Sequence, residues 1–123
     1  QIFDFFAGEV LRLAGEVLPS ARPNIGVEVT REAVGVVGII TPWNFPTANV
    51  LIRAVPILAA GNTLVLKPSE LSPRSAILLA RLASDAGLPP GVLNMVPGSG
   101  HAAGAALAAH PGIDMLAFTG STR

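Results

Sequence analysis

Four short apolar runs rich in β-branched residues, each separated from the next by a helix-like stretch, constrain this chain more than any other feature. The first, "AVGVVGIIT" over 33–41, is continuous rather than alternating, so both of its faces need cover. "NTLVLK" (62–67), "GVLNMVPG" (91–98) and "MLAFTGS" (115–121) follow as further strands. Between them, residues 47–60 have a helical pattern with Gly61 as its stop, and Pro56 should kink that helix or shift its start. Ser72-Pro73 opens the next helix with Ser72 as the expected N-cap, Gly87 closes it, and Pro89-Pro90 bar its continuation. The Ala-rich run from His101 to His110 is a third crossover helix. Such alternation predicts an α/β fold, a Rossmann-like doubly wound parallel sheet with right-handed crossovers. Of the 123 residues 50% are hydrophobic and only 13% charged, which suits a sheet covered on both sides.

The N-terminal part has a different texture. Phe3, Phe6, Val10, Leu13 and Val17 recur at helical spacing, with Asp4, Glu9, Arg12 and Glu16 mostly opposite, and Pro19 ends the pattern. "VEVTRE" (27–32) alternates apolar and polar residues, as a half-exposed strand at a sheet edge or subunit contact does. Eight basic and eight acidic residues cancel without forming a block, so nucleic acid is not an expected partner. The uncharged stretch from Ala33 to Ile52 could span a bilayer by length, but Pro42, Asn44 and Pro46 would expose backbone groups that lipid cannot satisfy. Charges interrupt the first apolar residues and no basic segment precedes them, unlike a signal peptide. A soluble, cytoplasmic protein with no membrane partner is expected. The absence of cysteine rules out a disulfide framework and a thiol nucleophile within these residues. The sequence stops directly after a strand, where an α/β domain continues into a helix, so a fragment is expected.

Ligands of open parallel sheets bind outside the carboxyl ends of the strands, which makes the residues after each strand the informative ones. Here they are Thr41-Pro42-Trp43-Asn44, Lys67-Pro68-Ser69-Glu70, Pro97-Gly98-Ser99-Gly100 and Thr119-Gly120-Ser121-Thr122. Together they deliver an indole, an amide, an ammonium, a carboxylate, glycines and hydroxyls. The glycines at 98, 100 and 104 are spaced one residue wider than a dinucleotide fingerprint, and Asp114 comes too early for its acidic partner. Alone, that segment fits a tight turn with close helix packing equally well. Asn44, flanked by prolines, could simply bond the local backbone.

Taken together, "GVVGIITPWNFP", "AAGNTLVLKPSE", "GLPPGVLNMVPGSG" and "LAFTGSTR" resemble the NAD(P)-dependent aldehyde dehydrogenase superfamily in order and spacing. The resemblance covers essentially all of the sequence, yet only a minor part of a family member's length. It implies that residues 1–123 are part of the NAD(P)-binding domain, that 22–32 within it is an oligomerisation strand segment, and that the catalytic domain is absent. By resemblance Asn44 is the amide that stabilises the oxyanion formed when a cysteine thiolate adds to an aldehyde, a donor typically worth ~3–4 kcal/mol. Pro42 and Pro46 would pre-set the backbone on either side of it. Ile40 and Thr41 would line the cofactor cleft, and Trp43 would meet the pyrophosphate region. Lys67 and Glu70, in the turn that holds Ser69, resemble the pair that bonds the adenosine ribose hydroxyls. Ser121 resembles a phosphate contact, with Phe118, Thr119 and Gly120 nearer the nicotinamide, while Gly98 and Gly100 would leave room for the adenine side.

The resemblance thus implies oxidation of a small aldehyde to a carboxylic acid through a cysteine thiohemiacetal, in a homo-oligomer. NAD is the implied cofactor; NADP is possible, although a carboxylate at Glu70 would repel its extra phosphate. The catalytic cysteine and the water-activating glutamate of the family lie outside these residues, so this chain alone should be inactive. A coenzyme A-acylating semialdehyde dehydrogenase and a non-catalytic dinucleotide-binding module are the alternatives. His101 and His110 are expected to be surface or capping residues, and Arg53 a packing or subunit-contact residue.

Overall fold

The structure is a computed structural model that describes residues 1–121; Thr122 and Arg123, the end of the last quoted segment, lie outside the described residues. A first helix, α1 (Ile2–Val10), precedes an antiparallel pair, β1 (Glu16–Leu18) and β2 (Val27–Val29). The main sheet then alternates with helices: β3 (Val36–Ile40), α2 (Pro46–Ala59), β4 (Thr63–Lys67), α3 (Arg74–Asp85), β5 (Leu93–Met95), α4 (Ala105–Ala108) and β6 (Met115–Phe118). Its order is β5-β4-β3-β6, and every neighbouring pair is parallel. The expected mixed α/β class and its parallel sheet are therefore present.

In sequence order the main sheet has its third strand at one edge, then the second, the first and the fourth. It grows outward from β3 in one direction and then returns to β3's other side with β6. That reversal is a topological switch point, where α/β sheets open a ligand crevice at the strands' carboxyl ends. On one face of the sheet Val37 and Ile39 of β3 and Leu64 and Leu66 of β4 are fully buried against Val50 and Ala54 of α2 and Ala76 of α3. Burying each large side chain there contributes about 1.5–3 kcal/mol, which makes this the cohesive layer of the fold.

The expected helix over Phe3–Val17 ends early, at Val10. Val17 belongs instead to β1, facing Glu28 across the hairpin, with Glu16 opposite Val29 and Leu18 opposite Val27. Gly15 makes that turn of events possible, because a Cβ on it would lie 2.4 Å from the Val29 carbonyl oxygen. Ser72 is not a cap: α3 starts after Pro73 with no side-chain hydrogen bond, and the Ser72 hydroxyl donates to the Trp43 carbonyl at 3.0 Å. Pro56 lies within α2 and does not shift its start, which Pro46 sets at the first helical position. Gly61 and Gly87 end α2 and α3 with positive φ, and Leu88 N–H and Gly87 N–H bond back to Ala83 and Ser84. The Ala-rich segment is a π-helical turn over Gly100–Gly104 followed by the short α4, shorter than the helix expected over 101–110.

Candidate functional site

The strand ladders continue past the carboxyl ends of the strands into the loops, so those loops start from fixed positions. Thr41 N–H bonds the Lys67 carbonyl at 3.2 Å, Thr119 N–H the Ile40 carbonyl at 3.0 Å, and Val96 N–H the Leu66 carbonyl at 2.9 Å. From this platform opens a cleft of about 420 Å³, within the size range of small-molecule and cofactor sites. Of the residues singled out from the sequence, Ile40, Thr41, Pro42, Trp43, Lys67, Ser69, Glu70, Gly100, Phe118, Thr119, Gly120 and Ser121 all line it. Four loops far apart in sequence thus share one wall system.

The β4–α3 loop supplies the charged end. The Lys67 side chain is almost fully buried, with Nζ 3.1 Å from Glu70 Oε2, while the Glu70 side chain is half exposed to the cleft. Glu70's own backbone N–H holds its carboxyl below the ordinary value of 4.5, helped by the hydrogen bond from Lys67 and, least, by the Gly100 N–H. Ser69 orders the turn itself: its hydroxyl accepts from Leu71 N–H at 3.2 Å and its carbonyl from Ser72 N–H at 3.2 Å. Ser72 in turn ties this loop to Trp43, whose indole is 61% exposed at the cleft. A buried ammonium beside a half-exposed carboxylate offers donor and acceptor to a diol, with apolar Ile40, Trp43 and Phe118 nearby for a ring or a chain.

Two expected site residues stand apart. Gly98 does not line the cleft; a Cβ there would come 2.7 Å from the Ala103 Cβ, so this glycine lets the π-helical turn pack closely. Asn44 is exposed in the β3–α2 loop outside the cleft, and its carboxamide makes no hydrogen bond among the described residues. It does not bond the local backbone, as the plainer reading of a proline-flanked Asn would require. Its carbonyl accepts from Asn49 Nδ2 at 2.7 Å. The following Phe45 has left-handed backbone (φ 50, ψ 52) and forms the N-cap of α2, directly before Pro46.

Sequence reasoning missed three features. His101 lines the cleft beside Gly100, and its position directly after a strand-end glycine was the signal for it. Leu71 lines it too. Arg53 bonds the Asn49 carbonyl at 2.8 Å, the Asn49 side-chain oxygen at 3.2 Å and the Thr119 hydroxyl, linking α2 to the end of β6. A second hollow of about 420 Å³ between the sheet and α4 is lined by Val36, Val65, Val96, Leu107 and Ile113 and is almost wholly apolar. Its one ionisable neighbour, His110, accepts a hydrogen bond from Gly112 N–H at 3.0 Å, a turn-capping role. Among the described residues no cluster of His, Cys, Asp or Glu could hold a metal, and no helix is long and apolar enough to cross a membrane.

Fold and site together define an open, Rossmann-like α/β sheet with its crevice at the switch point. The aldehyde dehydrogenase family model matches residues 1–123, and the chain belongs to that family. It is 51% identical over 119 residues to the NADP/NAD-dependent aldehyde dehydrogenase PuuC of Escherichia coli, covering 97% of this chain and 24% of that protein. It is 48% identical over 122 residues to an aldehyde dehydrogenase of Enchytraeus buchholzi, covering 99% of this chain and 24% of that one. Among solved structures, PnpE of a Pseudomonas species in complex with nicotinamide adenine dinucleotide superposes with a TM-score of 0.94 at 44% identity, over 98% of this chain and 24% of that one. The chain thus spans about a quarter of the length of the relatives it matches.

Proposed function

We propose that this chain is part of the cofactor-binding domain of an enzyme that oxidises a small aldehyde to a carboxylic acid with NAD, and less readily with NADP. The observation that carries the reading is the Lys67–Glu70 pair, a 3.1 Å contact between a buried ammonium and a half-exposed carboxylate at the mouth of the switch-point cleft. Such a pair fits a ribose diol, and the apolar walls with glycines at 100 and 120 fit a flat dinucleotide. A relative named as NADP/NAD-dependent and a solved neighbour holding nicotinamide adenine dinucleotide support the same assignment. Glu70's carboxylate, held ionised, would repel a 2′-phosphate, which is the reason to place NAD first.

When bound, a nicotinamide dinucleotide supplies a hydride acceptor. The chain's own residues do the rest of the work available here. Lys67 and Glu70 would hold the ribose hydroxyls as donor and acceptor, Ser121 would stand near the phosphates, and Trp43 and Phe118 would cover the walls against water. Asn44 presents a carboxamide N–H to the oxyanion created when a thiolate adds to the aldehyde carbonyl. The thiol must come from outside these residues, which contain no cysteine. The β1–β2 hairpin, exposed along both strands and apolar at Val17, Val27 and Val29, is suited to pairing with another subunit, so we place the oligomer contact there.

The test uses the protein that carries these residues at the length of its relatives, assayed by reduction of NAD against a panel of aldehydes, with and without coenzyme A. The expected result is aldehyde-dependent NAD reduction yielding free acid. Asn44→Ala should lower kcat by ~100- to 1,000-fold, the cost of losing one oxyanion donor, with NAD affinity within ~2-fold. NAD binding without any aldehyde-dependent reduction would replace this reading with a non-catalytic dinucleotide module, and an absolute need for coenzyme A would replace it with acyl transfer.

A further inference from the structure

Arg53 sits in the third turn of α2, a helix whose other inward positions, Val50, Ala54 and Val55, are buried and apolar. A half-buried guanidinium with no carboxylate partner among the described residues is costly, and an aliphatic side chain there would serve packing better. What the guanidinium does instead is tie α2 to the loop after β6. One nitrogen, Nη1, donates to the Asn49 carbonyl at 2.8 Å and to the Asn49 side-chain oxygen at 3.2 Å; the other, Nη2, donates to the Thr119 hydroxyl. Asn49, one helical turn back from Arg53, uses its Nδ2 to hold the Asn44 carbonyl at 2.7 Å. An unbroken chain of hydrogen bonds therefore runs Asn44, Asn49, Arg53, Thr119.

Its two ends are the two sides of the switch point. Asn44 lies in the loop after β3 and Thr119 directly after β6, and the strands are joined by the Thr119 N–H bond to the Ile40 carbonyl at 3.0 Å. Backbone pairing runs on to the Thr41 N–H bond with the Lys67 carbonyl, and the Ser72 hydroxyl holds the Trp43 carbonyl, which leaves the Asn44–Phe45 peptide as the part of the loop held from α2. Its chain direction depends on Phe45, a non-glycine residue in left-handed backbone that costs about 1–2 kcal/mol and needs surrounding contacts to persist. The Asn49 bond to the Asn44 carbonyl is such a contact, and Arg53 locks the Asn49 rotamer by bonding its side-chain oxygen.

We propose that Arg53, acting through Asn49 and Thr119, is a positioning residue that sets the direction of the Asn44 carboxamide relative to the β6 exit. This rests on the function proposed above, because only an oxyanion donor needs its angle fixed. The fork geometry of a guanidinium is needed: it reaches two partners on different elements at once, whereas an ammonium reaches them as a single point.

The experiment again uses the protein at its relatives' length, with Arg53→Met, Arg53→Lys, Thr119→Val and the Arg53→Met/Thr119→Val pair. Each is assayed for kcat, for KM of NAD and aldehyde, and for Tm. Misaiming the amide without deleting it should lower kcat ~10- to 100-fold in Arg53→Met while both KM values stay within ~3-fold. Arg53→Lys should recover part of that loss, and the double variant should lose no more than the worse single one, as members of one chain do. Thr119→Val, nearly isosteric, keeps the test available should Arg53→Met fold poorly; a kcat loss of ~3-fold or more is expected from it. An inactive wild type would overturn the proposed function itself. An active wild type with kcat unchanged in Arg53→Met and Thr119→Val, or with losses that track Tm alone and add in the double variant, would overturn the positioning role while leaving that function intact.

Discussion

At the scale of single residues, the charged end of the cleft makes a pH prediction whose sign follows from its contacts. Glu70's carboxyl is depressed below 4.5 first by its own backbone N–H and then by Lys67. A depressed carboxyl stabilises the fold fully above its unfolded value, and that contribution is lost as the pH falls through the lower folded value. In the complete protein, stability followed by denaturant titration from about pH 5.5 down to about pH 3 should therefore fall more steeply for wild type than for Glu70→Gln. Equal slopes would mean that the Glu70 carboxylate does not keep its bonds from its own backbone N–H and from Lys67 in solution. Lys67 and Glu70 were legible as site positions because they stand at and just beyond the carboxyl end of a strand, where an open sheet puts its ligand. The bond from Ser72 to Trp43 was not legible, since a serine before a proline carries the same local signature whether it caps a helix or reaches a loop 29 residues away. The bond from Arg53 to Thr119 was not legible for a similar reason: the two are 66 residues apart, and no local pattern points there.

At the scale of elements, the strands and crossover helices of the main sheet were readable because each has a period and a punctuation of its own. Continuous apolar runs marked β3 and β4, and Gly61 and Gly87 marked the ends of α2 and α3. The first helix was overextended because Leu13 and Val17 fit a helical period and a short hairpin equally well, and only pairing with β2 decides between them. That decision has a testable hinge. Gly15→Val would put a side chain where a Cβ already meets the Val29 carbonyl oxygen at 2.4 Å, a backbone atom that cannot move aside cheaply. Hydrogen exchange at Val27–Val29 should speed up by ~10-fold or more while exchange in β3 and β4 stays as in wild type. If the hairpin contacts another subunit, the same substitution should weaken the oligomer on size-exclusion chromatography. Unchanged exchange at Val27–Val29 would show that the close approach at Gly15 is relieved without loss of pairing.

At the scale of the whole molecule, this sequence has one well-covered sheet face and much apolar surface left open. Phe3 and Phe5 of α1, Leu78 and Leu82 of α3, and Met115 and Phe118 of β6 are all more than two-fifths exposed, a pattern unlike a monomer's isolated apolar residues. Produced alone, the 123 residues should self-associate, with sedimentation velocity showing broad, concentration-dependent species. A sharp, reversible, monomeric unfolding transition would contradict this. By itself the sequence determined the α/β class, the strand-end positions of the site residues and the family resemblance, because each is written in local periodicity or in short contiguous segments. Tertiary structure alone decided the order β5-β4-β3-β6, the gathering of four loops into one cleft, the conversion of residues 16–18 from helix to strand, and the chain of bonds from Asn44 to Thr119. Those outcomes depend on which distant groups meet, and hydrogen bonds and close contacts between residues far apart in sequence leave no periodic trace along the chain.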